Sequence, residues 1–276
     1  MELIYNNTQS EENSIKGFQD GERYASHFLF SDSDKFSIQI HLFFDGMGTT
    51  NPLRGQSTTC NVVVFYYTIL NLPPMLNSCF VNVHLLALCH TLDIKTHGYR
   101  PVLERFVAEI NHLQTVGFSG AFPIIGSCQI YVGLAQVSCD KLALNGLFGF
   151  IECFSADHFC TICLATQTDI QTKTYESEFC IRTRDGCATD VRSVMPMSCG
   201  HSHGVKAACV LNEIRGFHVT ENNAGAAVLA VVMAALFAVV MAAERTSLPR
   251  SIVNQSCRTL LLISGFHIDT AHIGKR

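Results

Sequence analysis

The stretch FSIQIHLFFD, residues 36–45, decides how this chain is read. Phe36, Ile38, Ile40, Leu42 and Phe44 alternate with smaller or polar neighbours. A period of two over that length predicts a strand, here one ending at Asp45. Working outward, residues 28–30 (FLF) lead into it. Gly46, Gly48, Asn51, Pro52 and Gly55 punctuate a loop behind it. Residues 60–70 (CNVVVFYYTIL) are β-branched and aromatic, which predicts a buried strand broken by Pro73 and Pro74. Residues 81–92 are apolar and read as a further strand or a short helix. Over residues 99–116, Val102, Phe106, Ile110 and Leu113 recur near every 3.6 positions, with Glu104, Arg105 and Glu109 between them. That is an amphipathic helix, with Pro101 in its first turn and Gly117 as its stop. Residues 124–137 read as one or two strands running to Asp140. The sum is an α/β chain.

The chain has 276 residues, enough for a substantial core, and a net charge of −4 from 19 basic and 23 acidic side chains. Bulk charge therefore excludes a strongly basic nucleic-acid binder, and any DNA contact must be local. Charged residues are only 15% and apolar residues 48%, which excludes a disordered or coiled-coil chain. Residues 1–16 are polar and read as a disordered N-terminus. They lack the basic-then-apolar pattern of a secretory signal, so the expectation is a protein that is not secreted. The thirteen cysteines are then expected to be reduced, and their odd number argues against a closed disulfide framework. Asn6-Asn7-Thr8 and Asn254-Gln255-Ser256 match a glycosylation acceptor that such a chain would not use.

Residues 151–222 are rich in Cys and His, weakly periodic, and read as a loop-rich insertion held by a metal or by packing. Cys160-Thr161-Ile162-Cys163 is a C-x-x-C, which can offer two thiolates to tetrahedral zinc, be buried structural thiols, or act in redox chemistry. A structural zinc site needs two more ligands. Cys187 and Cys209 are the leading candidates, with His218 as substitute, among Cys199, His201 and His203. Asp45 and Asp140, each ending a β-rich stretch, could instead hold divalent metal for phosphoryl transfer, or simply cap turns and helices. Residues 224–243 (AGAAVLAVVMAALFAVVMAA) are uncharged and long enough to cross a bilayer as one helix. A basic tail, residues 245–276, follows them. If that helix inserts, the protein is expected at a membrane with the tail cytoplasmic; otherwise it is expected in nucleus or cytoplasm.

Seven segments in order resemble the CACTA (En/Spm-like) transposase superfamily. They are Phe18-Gln19-Asp20-Gly21 with Tyr24 and FFDGMGTTNPLRG (43–55); Leu70-Asn71-Leu72-Pro73-Pro74; YRPVLERFVAEINHLQTVG (99–117); SCDKLALNGLFGF (138–150); FCTIC (159–163); FCIRTRDG (179–186); and GVKAACVLNEIRGFHVTEN (204–222). The resemblance covers residues 17–222. It implies a partial RNase H-like mixed sheet over 17–150, with Asp45 and Asp140 matching the first two of three acids that bind Mg²⁺ for DNA strand cleavage and transfer. It also matches Cys160 and Cys163 to a zinc knuckle. The chain departs from the family at Gly46, where relatives carry a second Asp, and at Asn145, where they carry His. After Asn222 the apolar segment stands where the region bearing the third acid would follow. The resemblance thus implies a truncated, degenerate copy without activity. The alternative is a single-pass membrane protein anchored by residues 224–243, and a working metal-dependent recombinase ranks behind both.

Overall fold

The computed structural model describes residues 18–48, 61–77, 79–122, 126–194 and 200–221. A short helix α1 (Glu22–Ser26) precedes strand β1 (Phe36–Gly48), which runs three residues past Asp45. Strand β2 (Asn61–Ile69), helix α2 (Pro74–Asn77) and strand β3 (His84–His90) follow. Then come α3 (Thr91–His97), α4 (Arg100–Thr115), β4 (Phe118–Phe122), β5 (Gly126–Ser138) and α5 (Lys141–Phe148). Two further helices, α6 (Gln167–Thr172) and α7 (Arg184–Val194), lie in the expected insertion.

The strands form one sheet in the order β3-β2-β1-β5-β4. β1–β2, β2–β3 and β4–β5 are antiparallel, and β1–β5 is parallel. Neighbouring parallel strands cannot be joined by a tight turn, so the chain must cross over the sheet between them. Helix α4 is on that crossover. Its buried Leu103, Phe106, Val107 and Ile110 pack against one sheet face. That face offers Ile40, Leu42, Phe44, Val63, Phe65, Val132, Leu134 and Val137, so both periods read in the sequence meet in one core. Phe65 and Leu42 are fully buried, each stabilising the fold by roughly 1.5–3 kcal/mol. Leu211, Ile214 and Phe217 join the same core, which therefore spans the boundary expected at residue 150.

Residues 28–30 form a turn and do not extend β1. His27 Nδ1 accepts the backbone N–H groups of Leu29 and Phe30 at 3.2 and 3.4 Å, curling the chain before the strand. Phe30 then packs with Phe18, Tyr24 and Leu29 against the second sheet face. Gly133 makes that approach possible: a Cβ there would sit 2.8 Å from the Phe30 ring. In the Leu70–Pro74 motif, Asn71 Oδ1 accepts Gln39 N–H at 2.7 Å and its Nδ2 donates to Ser37 C=O at 3.0 Å. The side chain thereby continues the ladder that β2 leaves, which gives this motif an architectural role.

Gln114 on α4 is 3% exposed, and neither of its amide atoms has a hydrogen-bond partner. Burying an unpaired amide costs about 1–3 kcal/mol. Gln114→Leu is accordingly expected to raise the unfolding free energy by about 1–2 kcal/mol, read from the urea midpoint. A lower midpoint would refute it.

No helix among the described residues is long and apolar enough to cross a membrane. The polar N-terminus (1–16), the apolar segment (224–243), the basic tail (245–276) and Cys199 lie outside the described residues.

Candidate functional site

The register between β1 and β5 changes once. Phe36 pairs with Ile130 and Ile40 with Leu134, but His41 pairs with Gln136 and Phe43 with Ser138. The extra residue is Ala135, a β-bulge. A bulge shifts every later residue of its strand by one place and reverses the faces. β5 ends at Ser138, paired with Phe43, so Asp140 follows two residues beyond the sheet, at the same end of the parallel pair as Asp45.

Their electrostatics agree. Burial, and then the charge of Asp140, raise the Asp45 carboxyl above its usual range, against a hydrogen bond from the Gly46 backbone that lowers it. Asp45 is half-buried and Asp140 is exposed. Asp140 is also the N-cap of α5: its Oδ1 accepts Leu142 N–H and Ala143 N–H, both at 2.9 Å. The capping role weighed from the sequence is therefore real, and it leaves Oδ2 free. Two hard oxygen donors from adjoining strands suit Mg²⁺ or Mn²⁺. On the same sheet face Phe43 stacks on Tyr66 at 5.1 Å, and the phenol is pushed up to about 12 by burial and by the nearby Asp45 and Cys139. Deeper in, His41 Nε2 and Ser138 Oγ are 2.8 Å apart and both are buried, so this pair ties β1 to β5 where no substrate reaches.

The C-x-x-C lies in the loop between α5 and α6. Cys160 and Cys163 lie in one bend of the chain, and Cys160 Sγ accepts Ile162 N–H at 3.4 Å. Of the other leading zinc candidates, Cys187 shares Arg182 with the knuckle, and Cys209 and His218 have other neighbours. Cys187 is buried on α7, and the Arg182 guanidinium acts on it as well as on the two knuckle thiols. Cys209 is buried in the main core, its thiol pushed up to about 12 by burial. His218 Nδ1 bonds Thr220 Oγ1 at 2.7 Å and lies among Arg184, Glu221 and Arg23. Neither Cys209 nor His218 feels a knuckle thiol. Among the described residues, no group of three or more His, Cys, Asp or Glu side chains is arranged to hold a metal ion.

What organises the insertion is Arg182, which the sequence reading did not single out. It is 4% exposed. Its Nε donates to Cys160 C=O at 2.9 Å, and its Nη2 donates to His158 C=O at 2.9 Å and to His203 C=O at 2.7 Å. The guanidinium also lies 4.9 Å from the centre of the Phe150 ring. Gly204 has φ +80°, and a Cβ there would collide with His158 C=O, so glycine is what lets these loops meet. Lys141, beside Asp140, turns the other way and donates to Thr161 Oγ1 at 2.7 Å, inside the C-x-x-C.

No family model matches the chain, and no curated protein matches it.

Proposed function

We propose that the chain is a transposase-derived protein that keeps one divalent-metal position of a nucleic-acid strand-transfer centre and does not complete the reaction. The observation that carries this reading is that Asp45 and Asp140 lie toward the same end of two parallel strands, near enough for the charge of Asp140 to act on Asp45. The order of elements supports it as well: an antiparallel β1-β2-β3 meander, a helical crossover, and a parallel return beside β1. The resemblance of residues 17–222 to the CACTA superfamily names the chemistry, cleavage and transfer of DNA strands.

In this reading Asp45 and the free oxygen of Asp140 hold Mg²⁺ or Mn²⁺, which when bound would polarise a phosphodiester oxygen. The α5 cap holds Asp140 in place. The burial of Asp45 and the charge beside it make its carboxylate seek a cation. Strand transfer needs two metals about 3.5–4 Å apart, and two carboxylates leave the second under-ligated. The third acid of the family falls after Asn222, where this sequence departs from the pattern.

The test is a Mn²⁺ titration followed by electron paramagnetic resonance, run beside a strand-cleavage assay. The wild-type chain is expected to bind one Mn²⁺ weakly. Asp45→Asn is expected to weaken that binding at least tenfold, about 1.4 kcal/mol, without loss of folding stability, because it relieves the repulsion with Asp140. No Mg²⁺- or Mn²⁺-dependent product is expected from either protein. Cleavage that vanishes in Asp45→Asn would establish a working recombinase instead. Mn²⁺ binding unchanged by the substitution would remove the metal site.

A further inference from the structure

The C-x-x-C lies outside the carboxylate pair, and its surroundings give it a chemistry of its own. We infer that Cys160 and Cys163 form a dithiol that exchanges with small disulfides and closes to an intramolecular disulfide. Four observations point there. The two thiols are separated by two residues in one bend of the chain, in which the Ile162 N–H reaches back to Cys160 Sγ at 3.4 Å. Both are partly exposed, whereas Cys187 and Cys209 are buried. The loop is fixed on both sides of the pair, by Arg182 on Cys160 C=O and by the Leu164 N–H bond to Cys180 C=O at 2.8 Å. Two cations, Lys141 and Arg182, lie close enough to act on both sulfurs, and the Ile162 N–H points at Cys160 Sγ. Partial exposure, positive surroundings and a backbone donor are what select a reactive thiol from an inert one.

The exchange balances with a low-molecular-weight disulfide as oxidant. The Cys160 thiolate attacks one sulfur of that disulfide, forming a mixed disulfide and expelling one small thiolate. The Cys163 thiolate then attacks Cys160 Sγ, forming the Cys160–Cys163 bond and expelling the second. Two electrons pass to the small disulfide, and the two protons lost by the cysteines end on the two small thiols released. Cys160 is the attacking sulfur because the Ile162 N–H and the Lys141 ammonium both favour its thiolate.

The experiment uses the purified full chain and glutathione disulfide. Metal content is measured first. The protein is then oxidised, alkylated and mapped by mass spectrometry, with exposed Cys79 and Cys180 as internal references and buried Cys209 reporting an intact fold by staying unlabelled. The expected result is a Cys160–Cys163 peptide two hydrogens lighter, formed at least tenfold faster than either reference is glutathionylated. Cys163→Ser should trap glutathione on Cys160, and Cys160→Ser should not trap it on Cys163. Stoichiometric zinc that protects both thiols would overturn the inference and return the pair to a structural metal site. Reaction at Cys160 no faster than at Cys79 and Cys180 would overturn it as well, as would a mixed disulfide trapped mainly elsewhere.

Discussion

Lowering the pH from 6.5 to 4 is expected to remove about 6 kcal/mol of folding stability, roughly half from each of two buried imidazoles. His27 and His41 are 6% and 8% exposed, and both are drawn down from 6.5 to about 4. Burial is the main cause for each, and the Arg23 charge adds to it at His27. In the unfolded chain these rings take a proton near pH 6.5, whereas in the folded chain they refuse it until about pH 4. Across that window the unfolded state binds more protons, so stability falls as pH falls, by about 1.4 kcal/mol per pH unit for each ring. Above pH 6.5 both states carry neutral rings and the effect vanishes. Asp45 acts with the opposite sign: its raised carboxyl accepts a proton earlier in the folded state and offsets a small part of the loss. Glu213, Glu221 and Asp169 are held below their usual range, first of all by hydrogen bonds from Arg100, Arg184 and Lys173. They begin to release stability as the pH falls through the ordinary carboxylate range, so they add to the loss at the acid end of this window. A loss of about 6 kcal/mol is comparable with the whole stability of a domain, so unfolding should be visible by pH 4 to 5. Urea titrations at pH 7, 5.5 and 4.5 would measure the slope, and His41→Gln should roughly halve it. A level stability across that range would contradict the burial of both rings.

Where one period governs a segment, the sequence is a good guide to this fold. β1, β2, β5 and α4 were all visible as alternation, β-branching or a 3.6-residue stripe, because each buries one face against the same core. Residues 28–30 misled, since three consecutive apolar residues carry no period, and the feature that turns them is the His27 ring behind them. β4 was missed because FSGAF has three small residues in five positions and owes its strand to pairing with β5. The candidate carboxylates were legible as residues ending two β-rich stretches, and the resemblance matched them as a pair. The bulge at Ala135 was not legible, because alanine in an apolar run leaves no signal of it. Asn145, where the resembled family carries His, proves to be fully buried, with Nδ2 donating to Ile151 C=O at 2.8 Å. Its position is architectural here, a role that only the contact reveals. Arg182, the organiser of the insertion, was not legible for a related reason: its partners are backbone carbonyls, which every residue has.

That organiser carries the other large effect. Arg182→Met is expected to destabilise the protein by about 3–5 kcal/mol and to open the loops around residues 158–163 and 203. Methionine keeps much of the volume and the contact with Phe150 but leaves three partly buried carbonyls, those of His158, Cys160 and His203, without this donor. A hydrogen bond to a charged group contributes about 1.5–3 kcal/mol, and an abandoned buried acceptor costs about 1–3 kcal/mol. The sum of three is reduced because the substitution also releases a buried charge, whose desolvation the fold now bears, with Nη1 unpartnered. Arg182→Lys should fall between wild type and Arg182→Met. An ammonium keeps the charge, but it lacks the planar fork that reaches three carbonyls on separate loops at once. The main sheet should survive both substitutions, since the three carbonyls that Arg182 holds lie outside its strands, although Phe150 and Cys187 share the core with Phe65, Leu42 and Leu103. Limited proteolysis should therefore cut the insertion first, near Phe154 and Ile162, while far-ultraviolet dichroism changes little. An Arg182→Met protein as stable and as protease-resistant as wild type would show that packing alone holds the insertion. If the loops are released as expected, the backbone that holds Cys160 is released with them, so Arg182→Met should also slow closure of the Cys160–Cys163 disulfide.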